Sequence, residues 1–298
     1  YDIGGFAWDN SELSTDLWLW YYFLHSGRTE VFRMAEAMTR HTGEVDVHHL
    51  GPFAPLGSRH NVMHWGCSAK QMRISTAMNR RFFFYLTADE RCGDLLNEQI
   101  EAHRTLITVP PQRKRGTLGE STEITQTETY LNIGTDWGAL AAAWFTHWER
   151  TGDEKTRKRL ENSMNSIAAQ PQGFFSGGGM MNVETGVFAK SNSKKAVVSH
   201  LNAVFGLAEI CPELIDNFNN PKFEKAWIRY CEFYNASAEE QKKALGNSLE
   251  KNGLRDAHSR LTAFAANKKQ DPKLAQRAWN EFLGKDKAKA LQIPTIQN

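Results

Sequence analysis

Five short turn signals recur along the 298 residues at nearly one period, and this repetition restricts the fold more than any other feature of the chain. They are Ser-Gly-Arg-Thr-Glu around Gly27, Thr-Ala-Asp-Glu-Arg around Ala88, Thr-Gly-Asp-Glu-Lys around Gly152, Cys-Pro-Glu-Leu at Pro212 and Asp-Pro-Lys-Leu at Asp271, spaced by 61, 64, 60 and 59 residues. Before the turns stand apolar-rich helical patterns, residues 13–24, 72–86, 137–148 and 197–210; after them stand more charged ones, residues 30–40, 89–103 and 154–167. The first of each pair reads as an inner helix and the second as an outer one. A helical hairpin of this size buries its apolar face only on its neighbours, so repetition predicts an open solenoid or a closed ring.

The links choose between these. Hairpin turns take a few residues, whereas the links between hairpins, near residues 42–66, 104–134 and 170–193, are long and irregular. Structureless connections beyond about 12–15 residues usually carry function. Hairpins that point one way place every long link at one end, which favours an all-α fold: an α/α toroid, an incomplete or closed (α/α)5–6 barrel of antiparallel hairpins. A tetratricopeptide array has a period of only about 34 residues. Phe174, Phe175 and the alternation around Val187 suggest a small β-hairpin among the loops. The whole chain, 1–298, reads as one toroid domain.

Nine Trp, seventeen Phe and 41% hydrophobic residues exclude a disordered chain. The 36 basic and 34 acidic residues leave a formal charge of +2, and no aromatic residues interleave with a basic stripe, so nucleic acid is not expected as a partner. No run approaches the ~18 apolar residues of a membrane span, so no membrane partner is expected either. Cys67, Cys92, Cys211 and Cys231 form no Cys-x-x-Cys pair and read as small buried thiols. The opening Tyr-Asp-Ile-Gly-Gly carries no signal-like segment, and localisation is not legible from the chain.

Chemistry concentrates in the first link, where Arg59, His60, Asn61, His64 and Trp65 fall within eight residues, with His48 and His49 just before them. The predicted topology gathers other candidates at the same end. Trp8, Asp9, Asn10 and Glu12 precede the first inner helix; Thr129, Tyr130, Asp136 and Trp137 lead into the third; Gly177, Gly178, Gly179, Met180, Met181 and Asn182 lie in the next link. Aromatic rings beside carboxylates, amides and Arg suit a sugar, which offers an apolar ring face and directional hydroxyls. Structural readings stand beside these. Asp9, Asn10, Ser11, Glu12 and Asp136 have the spacing of helix N-caps. Arg59 is also a natural loop brace. His60 and His64 lie four apart, yet lack the Glu of a His-Glu-x-x-His zinc motif, so no metal site is assigned. No Lys-Ser or Lys-Thr follows the glycine run as in a P-loop. Trp18, Trp20, Trp144 and Trp148 fall inside amphipathic patterns and read as core.

The stretches Gly-Phe-Ala-Trp-Asp-Asn-Ser-Glu, Gly-Ser-Arg-His-Asn-Val-Met-His-Trp-Gly-Cys-Ser and Gly-Thr-Asp-Trp-Gly resemble the C-terminal α/α-toroid domain of exo-rhamnogalacturonan-lyase-like (YetA-like) proteins. The likeness covers residue 1 to roughly 192; beyond that it is one of helical rhythm. It implies a domain of a longer polypeptide whose covalently linked β-rich domains precede it, a periplasmic or secreted setting, and an acidic oligo- or polysaccharide as partner. For such a uronate-containing, pectic or rhamnogalacturonan-like glycan, β-elimination requires a group to neutralise the carboxylate, a base for the C5 proton and an acid for the leaving oxygen. Arg59, with its planar fork, suits the first role with help from Asn61; His60 or His64 suits the second; Tyr130 suits the third. Trp8, Asp9, Asn10, Glu12, His48, Trp65, Asp136, Trp137, Met180 and Asn182 are candidates for substrate contact. No cofactor is firmly implied, and a divalent cation such as calcium is compatible. Glycoside hydrolysis by a carboxylate pair drawn from Asp9, Glu12, Glu128 and Asp136 is a second reading. A non-catalytic, glycan-binding or bracing toroid is a third.

Overall fold

A computed structural model describes residues 2–3, 6–7, 15–58, 70–72, 77–108, 127–198, 205–249 and 255–284. Short antiparallel pairs join β1 (Asp2–Ile3) to β2 (Phe6–Ala7) and β3 (Gly57–Ser58) to β4 (Lys70–Gln71). The helices of the first two hairpins are α1 (Thr15–Ser26), α2 (Thr29–Arg40), α3 (Ala77–Thr87) and α4 (Glu90–Glu98), the last continued by a 3-10 turn and a short α5 (Ala102–Thr105). A third hairpin, α6 (Gly138–Thr151) and α7 (Glu154–Ala168), is preceded by β5 (Glu128–Asn132) and followed by β6 (Gly178–Asn182). Then come α8 (Leu207–Asn217), α9 (Pro221–Tyr234), α10 (Ala238–Leu245), α11 (Ser259–Lys269) and α12 (Pro272–Leu283). Two compact units are distinguished. The first takes Tyr1–Ile167, Gly178–Lys190 and Leu201–Asn219, and the second takes Ala168–Gly177, Ser191–His200 and Asn220–Asn298.

In the first unit three hairpin turns use the same local chemistry. Ser26, Thr87 and Thr151 end the inner helices and fold their hydroxyls back onto the carbonyls of Tyr22, Phe83 and His147. The next residues, Gly27, Ala88 and Gly152, have φ of 65°, 53° and 70°, and each donates its N–H to a carbonyl four residues back at 2.7 Å. This left-handed closure satisfies an end carbonyl and stops the helix. Asp89 and Asp153 then cap α4 and α7 by accepting the N–H groups of Cys92 and Thr156.

The inner helices run parallel, side by side. Asn79 in the first turn of α3 reaches Asp16 in the first turn of α1, and Trp20 stacks on Phe83 a turn later. Tyr85 near the end of α3 meets Glu149 near the end of α6. Gly138 at the start of α6 lies close enough to α8 that a Cβ there would stand 3.5 Å from the Leu207 backbone. All three tight turns therefore share one pole of this unit, and the long links share the other. Trp20, fully buried, donates its indole N–H to Thr39 of α2, and with Leu19, Ala35, Ala77, Phe83, Cys92, Leu96 and Ala143 forms a core where the first three inner helices meet their outer partners. Burying one such aromatic side chain contributes about 3 kcal/mol.

In the second unit Phe174, Phe175, Phe223, Trp227, Tyr230 and Tyr234 form a buried aromatic cluster. Asn220, Ser237 and Asp271 cap α9, α10 and α12; Ser237 does so in a reciprocal box with Glu240.

Several expectations are corrected. Pro212 lies inside α8 rather than at a turn. The missing N–H removes one helical bond, while Leu207, Ile210, Cys211 and Leu214 bury a continuous stripe that holds the helix together. The helix placed over 197–210 begins only at Leu207, and of the one placed over 72–86 the described helical part is Ala77–Thr87, with Met72 outside it. Phe174 and Phe175 occupy a 3-10 turn, and the strand after them pairs chiefly with distant β5. A hairpin arm exists nevertheless: Asn182 donates to Val187 O and Ala189 to Met180 O. Trp20 and Trp144 are core, but Trp18 is 56% exposed. Cys92, Cys211 and Cys231 are buried thiols; Cys67 lies outside the described residues. No helix among the described residues is long and apolar enough to cross a membrane.

Candidate functional site at the link pole

Alternation in Glu-Thr-Tyr-Leu-Asn makes β5 two-faced: Thr129 and Leu131 turn inward, and Glu128, Tyr130 and Asn132 stay half-exposed. Its register with β6 pairs Glu128 with Asn182, Tyr130 with Met180 and Asn132 with Gly178. Directly opposed residues share a face in an antiparallel ladder, so these six stand on one side of the ribbon. A Cβ on Gly178 would fall 2.5 Å from the Tyr130 hydroxyl and 2.9 Å from Cζ. The phenol therefore lies across the glycine, and no larger residue fits beneath it.

Behind β5 the chain enters a π-helical turn, Ile133–Trp137, which leads into α6. Such turns recur at functional sites. Within it Asp136 is buried, and its Oδ2 accepts the Asn132 backbone N–H at 3.0 Å and Asn132 Nδ2 at 3.4 Å. Burial and then the Asp136 charge raise the Tyr130 pKa. The hydroxyl thus keeps its proton through neutral pH, the state required of a general acid.

A second polar group marks the first turns of α1 and α3, and the sequence reading did not single it out. Asp16 is buried between Asn79 Nδ2 at 3.1 Å and Thr42 Oγ1 at 3.5 Å. Fully buried Arg80 donates to Thr42 O at 3.4 Å and packs on Gly43, in another π-helical turn, His41–Val45. Burial, opposed by Arg80 and Asn79, raises the Asp16 pKa to about 6, and burial lowers that of Arg80. The available signal was a polar pair on the inward side of apolar helices. Shielded from solvent, these groups organise the pole and do not face a substrate.

Of the other candidates, His48 packs edge-on against Phe53, while neighbouring His49 is held by Glu98 Oε2 at 2.8 Å and Glu44 O at 3.0 Å. Trp137 is wholly buried and donates its indole N–H to Ser163 Oγ at 3.0 Å. With no open face it packs the core instead of stacking a sugar. Asn182 Oδ1 accepts from the N–H groups of Glu184 and Thr185 and from the Thr185 hydroxyl, so that oxygen shapes the turn. Met180 is partly exposed beside Tyr130. Arg59, His60, Asn61, His64, Trp65, Trp8, Asp9, Asn10 and Glu12 lie outside the described residues. Among the described residues, no group of three or more His, Cys, Asp or Glu side chains converges as metal ligands would.

A family model described as PcRGLX-like protein C-terminal alpha/alpha toroid domain matches residues 1–297. Over 302 aligned residues the chain is 39% identical to the Bacillus subtilis (strain 168) protein named Uncharacterized protein YetA, covering 99% of this chain and 34% of that protein. The chain thus spans about a third of the length of that curated relative. Repeated inner and outer helices with parallel inner members agree with the architecture that the family description names. The chain belongs to the family of PcRGLX-like C-terminal α/α toroid domains, a rhamnogalacturonan-lyase-like group.

Proposed function

We propose that this domain handles carbohydrate as part of a polysaccharide lyase that cleaves a uronate-containing, pectic or rhamnogalacturonan-like glycan by β-elimination. Membership in a rhamnogalacturonan-lyase-like family supports the substrate class. The observation that carries the local chemistry is Tyr130, laid across Gly178 on the half-exposed face of the ribbon, where partial burial and then the Asp136 charge favour its protonated form. In this reading Arg59 and Asn61 neutralise the uronate carboxylate, His60 or His64 takes the C5 proton, and Tyr130 gives its proton to the leaving oxygen. Removal of the C5 proton and loss of the C4 oxygen leave a C4–C5 double bond.

That double bond absorbs in the near ultraviolet, which makes the test direct. Intact protein is assayed against a panel of acidic glycans, alongside Tyr130→Phe and Arg59→Ala. Loss of the acid is expected to slow turnover about 100-fold or more. An unaltered rate in Tyr130→Phe sinks the assignment of the acid. Cleavage without the chromophore transfers the domain to hydrolysis, a reading that the buried, backbone-bonded Asp136 favours less. Saturable sugar binding without cleavage would make it a binding domain.

A further inference from the structure

The hairpin of α11 and α12 in the second unit carries an apolar groove of about 730 Å³ that no other described element lines. Ala263, Ala266, Ala275 and Ala278 share its walls with Trp279 and Phe282, whose rings stand 6.4 Å apart. Both rings are half exposed or more, at 50% and 60%. Another side of α11 is already taken, since Phe264 meets Trp227 of α9 at 6.4 Å and Lys268 pairs with Glu224 at 3.1 Å. Apolar surface gathered on one side of a hairpin and left in water marks a contact surface.

The chain itself supplies a cover. Two residues past Phe282, Gly284 takes φ 73° and ψ 154°, a conformation that glycine alone adopts without strain, and among the described residues nothing lies within 4 Å of a Cβ built there. The glycine is therefore required by the turn it makes and not by packing. It ends α12 and lets the chain leave beside the groove. Residues 285–298, outside the described residues, read Lys-Asp-Lys-Ala-Lys-Ala-Leu-Gln-Ile-Pro-Thr-Ile-Gln-Asn. The six residues between Gly284 and Leu291 span up to roughly 20 Å, while the twelve residues of α12 rise about 18 Å, so Leu291 and Ile293 can reach any point of the groove. Charge agrees with this. The charged residues on the groove walls are Asp256, Arg260 and Asp271, a net charge of −1, whereas the side chains of 285–298 sum to +2, from Lys285, Lys287 and Lys289 against Asp286.

We propose that residues 291–296, Leu-Gln-Ile-Pro-Thr-Ile, fold back onto this groove and cover Trp279 and Phe282. Pro294 restricts Ile293 to extended backbone, and in an extended segment Leu291 and Ile293, two apart, set their side chains on one side, against the alanine walls. The short tether holds the segment near the groove at a high effective concentration, so contacts too weak to hold a separate partner suffice. The inference is independent of the elimination reading, and failure of one leaves the other standing.

Hydrogen exchange of the intact protein, read by mass spectrometry in peptides from α11 and α12, tests it as a double-mutant cycle. Ile293→Ala should speed exchange there about 5-fold or more, but less than about 2-fold where Trp279→Ala has already removed the contact. Circular dichroism establishes that the variants fold. Equal acceleration in both backgrounds overturns the proposal, as does the absence of any acceleration by Ile293→Ala. Protection that rises with protein concentration and ignores Ile293→Ala overturns it too, and assigns the groove to a second copy of the chain.

Discussion

The two ends of the same inner helices are built on different principles. At the turn pole Ser26-Gly27, Thr87-Ala88 and Thr151-Gly152 repeat one construction, with the same 2.7 Å backbone bond and the same left-handed residue. At the link pole the helices begin in different ways: α1 and α3 share a buried carboxylate network, and α6 follows a π-helical turn and a strand paired across nearly fifty residues. The turn-pole closure involves atoms within four residues of each other, so neighbours hardly constrain it. The link pole depends on backbone segments that approach from distant parts of the chain, and it has room for only particular residues.

Glycine substitutions should break this contrast or sharpen it. Gly186, with φ 74°, sits in the turn after β6, where a Cβ would lie 2.5 Å from the Arg159 carbonyl oxygen on α7. Gly186→Ala is expected to cost about 3 kcal/mol, since both backbone strain and overpacking act on it. A chemical-denaturation midpoint that falls with unchanged slope would show this; a loss no greater than that of a turn-pole glycine would erase the distinction.

An intermediate effect concerns pH. Burial lowers the His103 pKa from 6.5 to about 4, and its Nε2–H donates to Val183 O at 2.9 Å. Below pH 6.5 the unfolded chain binds the proton more readily, so stability from neutral His103 is lost as pH falls toward 4. Asp16 has the opposite sign: its pKa is raised from 3.8 to about 6, so its contribution is full below 3.8 and lost as pH rises through 6. Between pH 6 and 4 the two slopes oppose each other. Asp16→Asn should therefore steepen the acid loss of stability and His103→Gln should flatten it, read from urea melts at pH 4.5 and 7. An unchanged slope in Asp16→Asn would refute this account of the network. At the turn pole the contrast persists, since Asp89 and Asp153 are held below their ordinary pKa by hydrogen bonds from the helix turns they cap.

The smallest effect belongs to the turns. Gly152 has φ 70° and nothing within 4 Å of a built Cβ, so Gly152→Ala should cost about 1 kcal/mol, the strain of a left-handed alanine alone. Ala88 already tolerates that conformation at φ 53°. Ala88→Gly should accordingly stabilise by roughly 0.5 kcal/mol, strain relief exceeding the entropy cost of glycine. Thermal melts of the pair suffice; a large loss in Gly152→Ala would mean that the turn is packed after all.

Much of this was legible in particular residues. The Ser/Thr, left-handed residue and Asp signals placed three turns because their hydrogen bonds are local. Trp20 and Trp144 were legible as core from helical spacing, whereas Trp18 was not, because spacing does not say which side of a helix lacks a neighbour. Pro212 misled for the converse reason: intrinsic propensity disfavours it in a helix, but the buried stripe of α8 outweighs one lost bond. Tyr130 stood out by its chemistry, yet its relation to Gly178 required the register of two remote strands. Trp137, attractive for the same chemistry, lies with its indole against Ser163 in the interior.

Local order in the chain was therefore sufficient for the helical repeat, the three turns of the first hairpins and the family likeness, since helix and turn hydrogen bonds close within a few residues. Which strand pairs with β5, which tryptophan stays in water, and which carboxylate is deprived of it followed from packing. Those outcomes depend on free energies of burial and pairing that exist only once distant segments meet.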